Sequence, residues 1–280
     1  MKKAQDTALR LALAFCGLLI AGVTIGIFVY LFYQGREVLS LQFFVDRPRG
    51  LPLGTDGGIF PALVGSLYLG VLSGGIAGIL SILGAAFLVF YCEKPWIKRL
   101  VHISHLCLSG FPSILFGLAG YTMLVFGLKL PRSLLVAVIT ISVMIYPFIS
   151  IRIHKNFEEN YMPLMRESLS LGIPKSYSLL RMILPHSFPQ NLSVILLGMA
   201  YGMGATAPVM FTGAVVHAGV PQGLMEPFMA LPYHLYLLAN DGISMKYAYG
   251  TACALIVLLF ALTIAGRRLG RLGKRTEGTK

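Results

Sequence analysis

The chain alternates between long apolar runs and short polar segments, and this alternation predicts its elements. A helix needs about 20 mostly apolar residues to cross the hydrocarbon core of a bilayer. Residues 11–33 form such a run without a charge, preceded by Lys2, Lys3 and Arg10. The apolar part of a secretory signal is only about 7–15 residues, and no small-residue cleavage site follows, so the run reads as a retained first helix. Residues 59–91 are too long for one straight span and predict a strong tilt or an interfacial start. Residues 101–126 and 133–151 follow, separated by the short basic stretch GLKLPR. Residues 192–216 and 247–265 complete a set of six spans.

Composition agrees with the pattern. Of the 280 residues, 56% are hydrophobic and 12% charged, and mean hydropathy is +0.76. Soluble domains carry about 25% charged residues, so a soluble globule, a disordered chain and a nucleic-acid-binding domain are all disfavoured. The net charge of +12 instead reports orientation. With the N-terminus inside, 17 of the 23 Lys and Arg fall on cytoplasmic segments, whereas acidic residues divide almost evenly. That bias places both termini in the cytoplasm and the basic side chains among lipid headgroups. The expected extracytoplasmic segments are about 34–58 and 217–246, and the longest cytoplasmic one about 152–190.

Chemistry-bearing motifs are few. Cys16, Cys92, Cys107 and Cys253 have neither CxxC nor metal spacing and read as structural or incidental thiols. No nucleophile elbow, HExxH helix or pair of carboxylates at depth is present, so neither a catalytic residue nor a metal site is expected. No acidic residue lies well inside a span, unlike in most ion-coupled carriers. His102 and His105 read as interfacial hydrogen-bonding residues. A GxxxxGK[ST] phosphate loop is missing, so energy for any transport has to come from a partner. Gly22 and Gly26, Gly70, Gly74 and Gly78, and Gly198 and Gly202 form GxxxG pairs that predict close helix contacts.

The cytoplasmic stretch MPLMRESLSLGIPKSYSLLRMILP predicts two short helices. The first covers about 163–171 with Pro163 in its first turn, and Gly172 suits the left-handed position that ends it. Pro174 opens the second, which is expected to stop before Pro185. Leu164, Ser168 and Leu171 are expected on one face of the first helix, and Tyr177, Leu180 and Leu184 on one face of the second. Such a pair suits a groove on a partner protein.

Gly172, nine intervening residues and Met182-Ile183-Leu184-Pro185 resemble the EAA loop of binding-protein-dependent ABC importers, EAA-x3-G-x9-I-x-L-P. Arg166 occupies the slot of the family's Glu, and Glu167 follows it. GGIFPALVGSLYLG, SGFPSILFGLAG, GATAPVMFTGA and LPYHLYLLA narrow the resemblance to phosphate permeases of the PstA type, across most of the chain. The resemblance implies an all-α membrane protein with six transmembrane helices in the type I, MetI-like permease fold, as a single domain over 1–280. It implies a coupling loop in which Arg166, Glu167, Gly172, Leu184 and Pro185 meet the ATPase. It also implies a second, PstC-like permease, two PstB-like ABC ATPases, a PstS-like extracytoplasmic phosphate-binding protein and a bacterial inner-membrane location. No cofactor is expected in this chain, since ATP and Mg²⁺ bind the partner ATPase.

The span 192–216 is centred near Gly204, which puts YGMGATAP at bilayer depth. Pro208 has no N–H for the Gly204 carbonyl, which predicts either a proline kink relieved by Thr206 or a discontinuous helix exposing backbone to solute. In the family this motif reads R-x-x-x-E-T-A-P. Here the Arg and Glu slots hold Tyr201 and Ala205, leaving Tyr201 and Thr206 as neutral donors. Tyr201, Gly204, Ala205, Thr206 and Pro208 are the expected pathway residues. Phosphate import is the function so implied; the alternatives are another oxyanion, a permease-like sensor or scaffold, and a carrier or channel working without an ATPase.

Overall fold

The computed structural model describes residues 2–51, 54–216, 218–240 and 242–277, with side chains outside 2–5, 7, 8 and 272–277. The side chains of Lys2, Lys3, Lys274 and Arg275, and all of Lys280, used above for orientation, lie outside the described set. In chain order the helices are α1 (Lys2–Gly35) and a short α2 (Leu41–Val45), then a two-residue hairpin of β1 (Pro48–Arg49) and β2 (Asp56–Gly57). They continue with α3 (Phe60–Ala86), α4 (Pro95–Gly110), α5 (Ser113–Gly120), α6 (Leu134–Asn156), α7 (Met162–Ser170) and α8 (Lys175–Tyr177). The last are α9 (Leu184–Met203), α10 (Thr206–Thr212), α11 (Leu231–Asn240) and α12 (Met245–Glu277). Stretches of π-helix extend α3 to Tyr91, α5 to Gly127 and α6 to Tyr161, and join α8 to α9.

Four helical stretches are long and apolar enough to cross a membrane: Leu9–Gly35, Phe60–Tyr91, Leu134–Ser170 and Met245–Arg271. Two bent pairs bring the number to six if each counts as one crossing. One of them corrects the expected straight span 101–126. Pro95–Gly110 and Ser113–Gly127 meet at 100°, because Pro112 forces Phe111 into an extended conformation (φ −74°, ψ 133°) that a helix cannot contain. His105 of α4 is buried and packs edge-on against Tyr146, ring centroids 5.4 Å apart.

The centre of the bundle is α3, α6 and α9. Gly70 and Gly74 of α3 lie directly under Met203 and Met199 of α9, and a methyl on Gly78 would sit 2.6 Å from Ile195 Cδ1. From the other side, methyls on Gly198 and Gly202 would come within 2.6 Å of Ile149 and 2.8 Å of Ile141. Lipid tails are as apolar as leucine, so association in a membrane depends on such close contact rather than on burial alone. Serines add hydrogen bonds between helices: Ser142 Oγ donates to the Ser73 carbonyl at 3.2 Å. Gly22 and Gly26 differ, since neither faces any atom within 4 Å, and α1 leaves its apolar side chains exposed along α12.

At the end opposite α7 and α8, a second cluster joins Val38, Phe43, Ile59, Ala62, Met229, Leu231 and Ala254. Leu231 N–H donates to Ser66 Oγ at 2.8 Å, and Tyr247 OH donates to Asp56 Oδ1 at 3.2 Å. Lys246, 3.0 Å from Glu37, holds that carboxyl below its usual range. His234 of α11 is buried with Nδ1 3.3 Å from Thr251 Oγ1. Burial pushes its pKa down to about 4, so it is neutral at pH 7. The unfolded imidazole titrates near 6.5. Stability is therefore complete above pH about 6.5, falls between 6.5 and 4 as only the unfolded chain takes up a proton, and levels off below. The loss reaches about 3 kcal/mol at roughly 1.4 kcal/mol per pH unit. His234→Gln, which offers Thr251 a partner without titrating, should flatten this window of thermal stability in detergent relative to wild type; identical pH profiles would show that His234 does not set it.

Candidate functional site

Of the two outcomes left open for YGMGATAP, the structure shows an interruption rather than a proline kink. Helix α9 ends at Met203, Gly204 caps it, Ala205 is extended (φ −80°, ψ 112°) and α10 starts at Thr206. The two axes differ by 69°. Pro208 lies in the first turn of α10, where a missing N–H costs nothing. The free acceptors at Gly204 thus come from a helix end, correcting the expectation that proline creates them. Pro208 is buried, its Cα beneath Gly117 of α5, where a methyl on that glycine would sit 2.7 Å away.

Tyr201 is half exposed and stacks on Phe148 of α6, ring centroids 5.5 Å apart and planes 24° apart. On the same ring lies the Arg152 guanidinium, its Cζ 3.8 Å from the centroid. Tyr201, Phe148, Arg152 and Ser109 line a pocket of about 220 Å³ with Phe111 and Met144. Among the described residues no carboxylate lies within ion-pair distance of Arg152. The structure therefore supplies a cation one π-stack from the neutral Tyr201 slot. Sequence reading counted Arg152 only as a loop charge; the spacing Phe148-x3-Arg152, one helical turn, was the available signal. Gly204 is exposed, whereas Ala205 and Thr206 are partly buried.

At the basic end, α7 and α8 form a tight corner. Gly172 N–H donates to Leu169 O and Ile173 N–H to Ser168 O, both at 3.0 Å, with Gly172 at φ +79°. This is the paired C-terminal bonding that favours glycine. The second helix does not stop before Pro185. It runs through the π-segment Ser178–Ile183 into α9, and Pro185 sits in the first turn of α9.

The faces also differ from expectation. Ser168 points inward, its Oγ 3.8 Å from Met182 Sδ, with Met165, Leu179 and Ile183 buried beside it. Leu171 lies at the helix end and is 79% exposed. Tyr177 and Leu180 are exposed too, whereas Leu184 packs on the core because it already belongs to α9. Arg166 and Glu167 are exposed. Arg166 also edges a cavity of about 310 Å³ shared with Lys98, His154 and Glu158. Groups of three or more His, Cys, Asp or Glu placed to hold a metal are absent among the described residues.

No family model matches the chain. Phosphate transport system permease protein PstA 2 of Mycobacterium bovis is 26% identical over 79% of this chain and 74% of its own length. The probable phosphate transport system permease protein PstA of Methanocaldococcus jannaschii is 26% identical over 80% of each chain. The probable ABC transporter permease protein YqgI of Bacillus subtilis is 22% identical over 92% of each. Among solved structures, the inward-facing MetNI methionine ABC transporter aligns with TM-score 0.59 and 17% identity, over 77% of this chain and 97% of the matched one. The fold is that of a MetI-type ABC importer permease, and the sequence relatives are permeases of the same class. The chain thus shares the fold of an importer permease and is similar in sequence to permease proteins over most of its length.

The corner makes its own prediction. Gly172→Ala should cost about 1–2 kcal/mol, because a Cβ at positive φ meets the carbonyl even in open space. Gly75→Ala, in α3 with no atom within 4 Å of the added carbon, should be neutral or gain about 0.5–1 kcal/mol. Thermal unfolding of both variants in detergent checks the pair; equal midpoints would remove the strain argument.

Proposed function

We propose that this chain is one of two permease subunits of an ATP-driven importer of inorganic phosphate in a bacterial inner membrane, with both termini cytoplasmic. Its partners are a PstC-like second permease, two PstB-like ATPases that bind ATP and Mg²⁺, and a PstS-like binding protein that delivers the solute outside. The chain itself hydrolyses no ATP.

The observation that carries the reading is the unbroken rod from Lys175 to Met203, which connects the exposed corner to the helix break. Closure of the ATPases against Arg166, Glu167, Leu169 and Leu171 moves that corner. Gly172 sets its angle, Leu184 packs the rod against the bundle, and the exposed Pro185 lies beside it in the first turn of α9. A rigid helix carries the displacement to Gly204 and Ala205, where irregular backbone borders the path. Tyr201 and Thr206 offer hydroxyls there, with Ala205 and Pro208 shaping the wall. Arg152 presents the planar fork that suits a phosphate bearing one to two negative charges. Relatives that carry phosphate-transport names across most of the chain support this solute. The neutral pair Tyr201 and Ala205 favours one second reading, a different oxyanion.

Reconstitution with both partner types, scoring ATP hydrolysis stimulated by binding protein loaded with phosphate, sulfate or molybdate, separates these readings. Phosphate is expected to stimulate most; stimulation by sulfate or molybdate alone overturns the solute. Arg152→Gln should lower the phosphate response about tenfold or more, the scale of a lost charge-assisted hydrogen bond, and Tyr201→Phe by less. Gly172→Trp should uncouple hydrolysis from uptake, and unchanged uptake refutes the coupling role. Uptake by the purified chain alone, driven by an ion gradient, refutes the importer.

A further inference from the structure

Away from the helix break, the basic end contains a cleft of about 580 Å³ between α6, α9 and α12. Arg152 and Lys155 face it from α6, and Arg267 and Arg271 from α12, over a floor that includes Ser193 of α9. Each pair sits on one helix face, three or four residues apart. Glu159 is the one carboxylate on the wall, and Lys155 takes it at 3.6 Å. Among the described residues, none of the three arginines has a carboxylate within ion-pair distance.

This cleft is held in place by the packing. A methyl on Gly266 would lie 3.1 Å from the Ser193 carbonyl oxygen, and one on Gly270 would lie 2.9 Å from Ser193 Oγ. Those two glycines let α12 cross α9 closely enough for Arg267 and Arg271 to share a cavity with Arg152. Like charges four apart on a helix repel, and three uncompensated guanidiniums around one cavity repel more. An anion relieves that repulsion. Guanidiniums grip phosphate oxygens in pairs, and the cleft's volume falls within the roughly 300–1,000 Å³ range of small-molecule sites. The charge bias puts the cleft at the depth of the inner headgroups, where basic pockets between helices hold phosphate-bearing lipids.

We propose that this cleft is a binding site for a phosphate group, carried by an anionic lipid headgroup or free in the cytoplasm. It stands independently of the solute that the permease moves. The test uses the full chain, purified in neutral detergent, and follows its thermal midpoint during titration with short-chain phosphatidylglycerol, inorganic phosphate or, as zwitterionic control, short-chain phosphatidylcholine. A saturable rise with phosphatidylglycerol identifies a headgroup site, and one with inorganic phosphate a free-anion site. In either case the double substitution Arg267→Gln/Arg271→Gln should raise the half-saturating concentration about tenfold or more. Arg99→Gln, a cytoplasmic charge outside the cleft, should leave it unchanged. If the double variant does not fold, Arg271→Gln alone should give a smaller shift in the same direction. The proposal fails if neither anion stabilises beyond phosphatidylcholine, or if the cleft variants respond like wild type.

Discussion

Gly70, Gly74 and Gly78 leave a strip of α3 bare of side chains, and Met203, Met199 and Ile195 of α9 occupy it. In a membrane, where lipid competes for apolar surface as well as any leucine, this approach of backbone to side chain is what holds helices together. It fixes the second half of α9, because Gly198 and Gly202 make the matching contact with α6 on the other side. The exposed corner at Gly172 leads into that helix through α8 and the π-segment, the break at Gly204 ends it, and the basic cleft lies on its flank.

Backbone without water to bond to has to be satisfied by the protein, so irregular segments at depth survive only where neighbours enclose them. Beyond the break, α10 meets that condition by lying against α5 at Gly117 and Gly120, whereas Gly204 itself is exposed. Arg132 reinforces the far end of α10 by donating to the Met210 and Ala214 carbonyls. The second break, at Phe111 and Pro112, has a different origin: the proline fixes the turn, and α4 is left as a separate helix packed on α6 through His105 and Tyr146. One interruption is a consequence of glycine and packing, the other of covalent geometry.

Charge follows the same division of labour. The apolar spans exclude it, so the few cations collect at one end, and most have no acidic counterpart within the described chain. Arg152 stands where two of these features meet, stacked toward the break on one side and facing the cleft on the other. Its dual position follows from α6, whose turn at Phe148 carries the aromatic ring and whose next turn carries the guanidinium.

The apolar runs determined the spans, because hydrophobic length is a property of the chain alone. The Gly172 corner was legible for a similar reason, since only glycine tolerates that backbone and its bonding partners are local. Pro112 offered a signal for the broken third span that the apolar composition around it outweighed. Whether YGMGATAP kinks or breaks was undecided in sequence, because both outcomes share the same local residues. The tertiary structure decided it through the contacts that α10 makes with α5. It also decided which loop residues face outward, turning Ser168 in and Leu171 out, because a short helix has no inside until another element covers it. Likewise Arg152 came to share a pocket with Tyr201 only when α9 brought that tyrosine against Phe148. Sequence sets what one segment prefers, and proximity between distant segments has no local signature in it.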